Sequence, residues 1–205
     1  MQRSLCYLEA VMNNSDLLSV LHLAERLKDT TRHCYTSKGR RESVAEHCFR
    51  LALMAYLMKD EFENLDINKV IVMCLFHDMG EAFTGDIPVF QKTNADREKE
   101  DRLIFEWVDG LPDFPGKELR ELYAEMNEQK TGEAKLYKAL DCLEALIQHN
   151  ESDISTWEPH EYELQLTYAY DRVGFSEYIH GLRDYIRDDS MRKIEESREN
   201  GSSNN

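Results

Sequence analysis

"INKVIVMCLFHDMGEAFTGDIP", residues 67–88, decides how this chain is read. Val70 to Phe76 form an unbroken apolar run, and Asp66 stands where a helix cap would accept the first free amides. The run stops at His77-Asp78, and Glu81 and Asp86 follow around a Thr84-Gly85 turn. His77 and Glu81 are four residues apart, so on a helix they share a face. Three carboxylates and an imidazole at the end of a segment suited to burial carry a desolvation cost. Something elsewhere in the chain, or bound to it, must compensate.

Outward from this stretch the sequence reads as successive helices. Asp16 can cap a segment reaching about Lys28. Ser43 and Glu46 fit a capping box, opening a helix to about Asp60 with Val44, Cys48, Leu51, Ala52 and Ala55 along one face. Residues 95–109 and 116–130 are amphipathic. In "GEAKLYKALDCLEALIQHN" (132–150), Ala134, Tyr137, Leu140, Asp141, Leu143 and Glu144 recur at helical spacing. Pro159 fits the first turn of another helix, and Phe175 to Asp188 makes the last. No run shows the clean period-two alternation of a half-buried strand. Four prolines and nine glycines force few turns, which favours long helices over a many-stranded sheet. The expected architecture is all-α: a single domain over 1–190, with a core in 21–150, extra C-terminal helices over 158–189 and a disordered polar tail over 191–205.

Composition narrows the function classes. The 205 residues suffice for one sizeable core. The apolar runs at 51–58 and 70–76 fall far short of the roughly 20 residues a membrane span needs, and the N-terminus reads as no signal peptide. Five cysteines, an odd count without a C-x-x-C pair, fit reduced thiols, so a cytoplasmic protein is expected. A net charge of −15 argues against nucleic acid polymers and anionic membranes. Against that trend, Arg26, Lys28, Arg32, Lys38, Arg40 and Arg41 crowd into 26–41 with only Asp29 opposing them. Such a run is either a solvated loop or the wall of an anion site.

A metal ion is the simplest compensation for the acids beside His77. Imidazole and carboxylates together suit Mn, Co, Fe, Ni or Zn. Two ligands are too few, and two further candidates stand on other helices. His47, in the first turn of its helix, is a ligand or a structural histidine. Asp141, between Leu140 and Cys142 in an apolar helix, needs a partner. That partner is a metal, or Lys135 or Lys138, the latter three residues before it.

Together these residues make an ordered pattern, His47, then His77-Asp78, then Asp141. It resembles the HD-domain metal-dependent phosphohydrolases. "RRESVAEH", "HDMGEAFTGDIP" and "EAKLYKALDCLEALI" are similar to the branch containing the bacterial 5′-deoxynucleotidases and their eukaryotic HD-domain relatives. The likeness runs from about Leu21 to Asn150. It implies an all-helical bundle binding one divalent ion (Mn, Co, Fe, Ni, Zn or Mg) through His47, His77, Asp78 and Asp141. Such a set leaves positions open for water and a phosphate oxygen. It gives Glu81 the task of orienting or deprotonating the attacking water, and Asp86 that of positioning water or handing a proton to the leaving sugar oxygen. Without those tasks, Glu81 would cover a helix end and Asp86 would satisfy turn amides.

Arg32 corresponds to the family's phosphate-contacting arginine, and Arg40 to a second basic position. Where the bacterial enzymes carry Trp beside the sugar, this chain has His33, so a preference for deoxyribose need not carry over. His149, His160 and His180 match no ligand pattern and read as surface or packing residues. The implied protein is a homodimeric phosphomonoesterase acting on nucleoside 5′-monophosphates, deoxynucleotides above all. The alternatives are the same metal site acting on a cyclic, alarmone or non-nucleotide phosphate, and a non-catalytic metal-binding helical module.

Overall fold

Asp66 and Ser43 fix the two helices on which the rest is assembled. Asp66 accepts from the Lys69 amide at 3.1 Å, and Ser43 and Glu46 close the capping box expected of them. The computed structural model describes residues 12–202. The described helices are α1 (Asn14–Glu25), α2 (Val44–Leu57), α3 (Ile67–Phe76), α4 (Glu81–Thr84), α5 (Asn94–Asp109), α6 (Asp113–Glu128), α7 (Gly132–Glu151), α8 (Glu161–Thr167), α9 (Tyr170–Val173) and α10 (Glu177–Ser202). Helices α2, α3 and α7 pack against one another, and their inward residues include Val44, Leu51, Val70, Met73, Leu136, Leu140 and Leu143, all fully buried. One apolar cluster runs from Leu27 to Ile186. The all-α expectation holds, and among the described residues no helix is long and apolar enough to cross a membrane.

Four local features differ from the sequence reading. First, a small hairpin joins α1 to α2. Strand β1 (Thr31–Tyr35) pairs antiparallel with β2 (Arg41–Ser43) through a turn in which Gly39 takes a positive φ of 79°. Five residues with an irregular register are too short to show an alternating pattern. The 26–41 segment is therefore no continuous basic loop. Arg41 lies over the Tyr35 ring and donates to the His33 carbonyl at 2.8 Å, while Lys28 is an exposed partner of Glu25.

Second, α3 ends at Phe76 and a turn separates it from α4, so His77 and Glu81 do not lie on one continuous helix. The Tyr123 hydroxyl donates to the Phe76 carbonyl at 2.6 Å, satisfying a helix-end acceptor. Gly80 lies in this turn under α5, where an added Cβ would meet Glu100 Cγ at 2.8 Å. Gly85, at φ 77°, then turns the chain toward Asp86.

Third, the polar tail does not begin at 191. α10 continues through Ser202 because Ile179, Arg183, Ile186, Ser190 and Ile194, buried at steps of three and four, extend one inward stripe past Asp188. Fourth, the cap expected at Asp16 belongs instead to Asn13, which accepts from the Ser15 and Asp16 amides.

Candidate metal centre and substrate cavity

Three elements converge on one cluster. The capping box places His47 in the first turn of α2, fully buried. The end of α3 delivers His77 and Asp78, and the middle of α7 delivers Asp141. His47 Nε2 lies 3.2 Å from Asp141 Oδ1 and 3.8 Å from Asp78 Oδ2. His77 Nε2 lies 3.0 Å from Asp78 Oδ2 and 3.7 Å from Asp141 Oδ1. All four residues expected as ligands are thus brought together, and His47, His77 and Asp78 each offer a donor atom within 4.8 Å of the others. Lys138 also reaches Asp141, at 2.7 Å to Oδ2, so both partners open to Asp141 in the sequence are within reach of it.

The arrangement fits a divalent cation. The other nitrogens of both rings are committed: His77 Nδ1 donates to the Cys74 carbonyl at 2.9 Å, and His47 Nδ1 pairs with Glu144. A carbonyl can only accept, so Nδ1 of His77 carries the proton and the Nε2 lone pair of the neutral ring faces the carboxylates. His77 Nε2 is buried without a hydrogen bond of proper geometry. Lone pairs from two imidazoles and two carboxylates pointing at one another require a positive charge between them, supplied by a metal or by protons. Without a metal, protons fill that role. Against burial, Asp78 and Asp141 raise His77 well above its ordinary value; against burial and Arg32, Glu144 and Asp141 raise His47. Asp78 is held at about 2, its burial outweighed by His77 and His47.

Behind His47 stands a second set of charges that the sequence reading did not assign. Glu144, three residues after Asp141 on the same face of α7, is fully buried and held at about 2, its burial outweighed by His47, Arg32 and Arg50. Arg50 Nε donates to its Oε1 at 2.6 Å, and Arg32 Nη1 donates to its Oε2 at 3.0 Å and to Glu42 Oε2 at 2.7 Å. Glu42, His47 and Glu144 could themselves surround a cation, but the two guanidiniums already neutralise their carboxylates. The set is a support for His47. Its trace in the sequence is a charged residue at i+3 from Asp141 in an apolar helix.

The ligand cluster opens into a cavity of about 220 Å³. Arg32, His33, Asp78, Glu81, Asp86 and Asp141 all line it. Glu81 is buried with Oε2 unpartnered; burial, then Asp78, Asp86 and Glu100, push its carboxyl up to about 10. Arg40 does not reach the cavity. It forks onto Glu46 at the exposed start of α2, so the second basic position is a surface ion pair in this chain. Sequence reasoning missed other wall residues. Lys92, bound to Glu100 at 2.5 Å, and Arg97 line the charged side. Phe90, Leu146, Leu164 and Tyr168 form an apolar side, and His149, read as surface or packing, is a buried part of it. His160 and His180 are largely exposed.

The HD domain family profile matches residues 24–180. The 5′-deoxynucleotidase HDDC2 of Bos taurus is 36% identical over 142 residues, covering 66% of this chain and 67% of that protein. The HDDC2 5′-deoxynucleotidase of Dictyostelium discoideum is 30% identical over 159 residues, covering 73% of this chain and 82% of its own. Among solved structures, a "predicted metal-dependent phosphohydrolase" from Magnetospirillum magnetotacticum MS-1 superposes with a TM-score of 0.75 at 26% identity, covering 87% of this chain and 95% of that one.

Two outcomes follow from the centre. Glu144→Gln keeps the shape and removes the charge behind His47, so divalent-ion affinity should fall by roughly 10- to 100-fold in calorimetric titration, with helix content by circular dichroism unchanged. Because His47 and His77 are raised in the metal-free protein, Mn or Zn binding at neutral pH should release protons. Titrations in buffers of different ionisation enthalpy should show that release. Affinity should rise as pH increases, since fewer protons then compete for the two Nε2 atoms.

Proposed function

The chain belongs to the HD-domain family, and on that premise we propose that it is a 5′-nucleotidase, hydrolysing nucleoside 5′-monophosphates, 2′-deoxynucleotides among them, to nucleoside and inorganic phosphate. One observation carries the reading: the imidazole–carboxylate cluster, an arginine with free donors and an apolar wall share one cavity. Those are the parts needed for a phosphate joined to a nucleoside.

His47, His77, Asp78 and Asp141 would hold the ion. When bound, a divalent cation supplies a Lewis acid for a phosphate oxygen and lowers the pKa of water. Arg32 binds the phosphate. Its Nη1 is anchored by Glu42 and Glu144, and its Nε and Nη2 make no hydrogen bond among the described residues, so a pre-oriented edge of the guanidinium is available to phosphate oxygens. That edge offsets the charge on the equatorial oxygens, where most of the barrier to phosphoryl transfer lies. Glu81 takes the proton of the attacking water. With the charge of Asp78 taken up by a cation, one main cause of its raised pKa disappears, and it returns toward the range in which a carboxylate accepts a proton. Asp86, on the same wall, positions water or passes a proton to the departing 5′ oxygen. The apolar side takes the nucleoside.

The protein would work as a homodimer in the cytoplasm. α2 exposes Phe49, Leu53, Tyr56 and Leu57 along one stripe, α1 exposes Leu17, Leu18 and Leu21, and α3 exposes Val72 and Leu75. Large apolar side chains exposed on three successive helices offer surface that a second copy can cover. Cys34, Cys48, Cys74 and Cys142 are unpaired thiols, as a reducing compartment requires.

Phosphate release from 5′- and 3′-nucleotides with Mn, Co, Mg or chelator tests the activity. The expected result is metal-dependent release from 5′-monophosphates alone, falling at least 100-fold in Asp78→Ala. Inertness toward every nucleotide would defeat the reading and turn the search to cyclic and non-nucleotide phosphates. Sedimentation equilibrium should give twice the chain mass for the wild type and the single-chain mass for Leu53→Glu.

A further inference from the structure

On the cavity wall a second polar cluster stands outside the ligand set. Glu161 opens α8, in the part of the chain that carries none of the motifs, and is buried. Its Oε2 accepts from the Glu158 amide at 2.6 Å. Its Oε1 lies 2.8 Å from His33 Nε2, and its Oε2 lies 3.1 Å from His149 Nε2. Against burial, His149, the Glu158 amide and His33 hold this carboxyl at about 2, so it is an anion at neutral pH. An ionised carboxylate can only accept, so a hydrogen bond across the 2.8 Å contact requires the proton on His33 Nε2. His149 is enclosed: its Nδ1 is 3.4 Å from Cys34 Sγ and its ring packs on Trp157.

His33 is not enclosed. It lines the cavity, and its Nδ1 has no hydrogen-bond partner among the described residues. Phe90 meets its ring edge-on at 5.4 Å, so the ring is held both by a charge and by packing. The free nitrogen accepts in the neutral ring and donates in the charged one, and a hydroxyl group matches either state. Its place decides which hydroxyl. His33 lines the same cavity as Arg32, and the group joined to a 5′-phosphate bound there is the sugar. A deoxyribose methylene would leave this nitrogen unmatched, whereas a ribose 2′-hydroxyl would satisfy it.

We infer that Glu161 is a positioning residue that holds His33 against the 2′-hydroxyl of a ribonucleoside 5′-monophosphate, so that the site takes ribonucleotides alongside deoxynucleotides. The inference rests on the 5′-nucleotidase reading and adds the sugar to it. It also gives the C-terminal helices a part in substrate choice.

The test is kcat/KM for matched ribo- and 2′-deoxyribonucleoside 5′-monophosphates with one divalent ion, on wild type, Glu161→Gln, His33→Gln and His33→Phe. Circular dichroism and divalent-ion affinity serve as controls for folding and for the metal centre. The expected result is a wild type that cleaves both sugars within about tenfold of each other. Glu161→Gln and His33→Phe should then lose roughly tenfold on the ribonucleotide and less than about threefold on the deoxynucleotide, with His33→Gln between. Equal losses on both sugars, or a wild type that cleaves deoxynucleotides only, would overturn the inference and leave the nucleotidase reading standing. A wild type that binds the ion yet cleaves neither sugar would overturn both.

Discussion

His47 is held between two sets of negative charge. On one side Glu144 takes its Nδ1; on the other Asp78 and Asp141 face its Nε2. With no exposed surface, the ring cannot shed this charge to solvent. Every other charged group in the centre can be read as a response. Arg50 and Arg32 neutralise Glu144, Lys138 takes one oxygen of Asp141, and His77 shares Asp78. Buried charges are tolerated only when paired in this way. At the meeting point two imidazoles and two carboxylates face one another, a donor set that fits a divalent cation in place of the protons.

The same network ties the metal centre to the substrate wall. Arg32 donates into the support behind His47 with one nitrogen and keeps the rest of its guanidinium toward the cavity. Loss of Glu144 would therefore loosen the proposed metal ligand His47 and the proposed phosphate-binding Arg32 together. The hairpin makes this possible. β1 carries Arg32, His33 and Cys34, and it is fixed to α7 by Gln148, which donates to the Tyr35 carbonyl at 2.7 Å, as well as by Arg32 and Cys34. One short strand thus touches the support of His47 and the proposed phosphate and nucleoside regions of the cavity.

The apolar scaffold explains why these groups keep their places. α2 and α7 carry His47 and Asp141, and the turn that leaves α3 carries His77 and Asp78, so the proposed ligands are anchored to helices with fully buried residues such as Leu51, Met73 and Leu140. Sites on rigid elements hold their geometry better than sites on loops. Glu81 and Asp86 are different. They sit on short α4 and the turn after Gly85, where α5 packs down on Gly80.

Much of this was legible in the sequence because it depends on local spacing. The capping box at Ser43, the apolar run into His77-Asp78 and the acid inside α7 each follow from residues a few positions apart. So does the all-helical class, since long amphipathic stretches with few prolines admit little else. The hairpin at 31–43 was not legible, because its five-residue strand is too short to carry a period and is stabilised from outside by α7. The end of α10 was misjudged because isolated buried residues such as Ile194 sit in otherwise polar sequence. What only the tertiary structure decided is which charges meet. Arg32 pairs with Glu144 across 112 positions, while Arg40, equally basic and close by in sequence, stays on the surface with Glu46. Spacing along a chain determines which residues share a helix face; burial and the need to neutralise charge between helices decide which of them become a site.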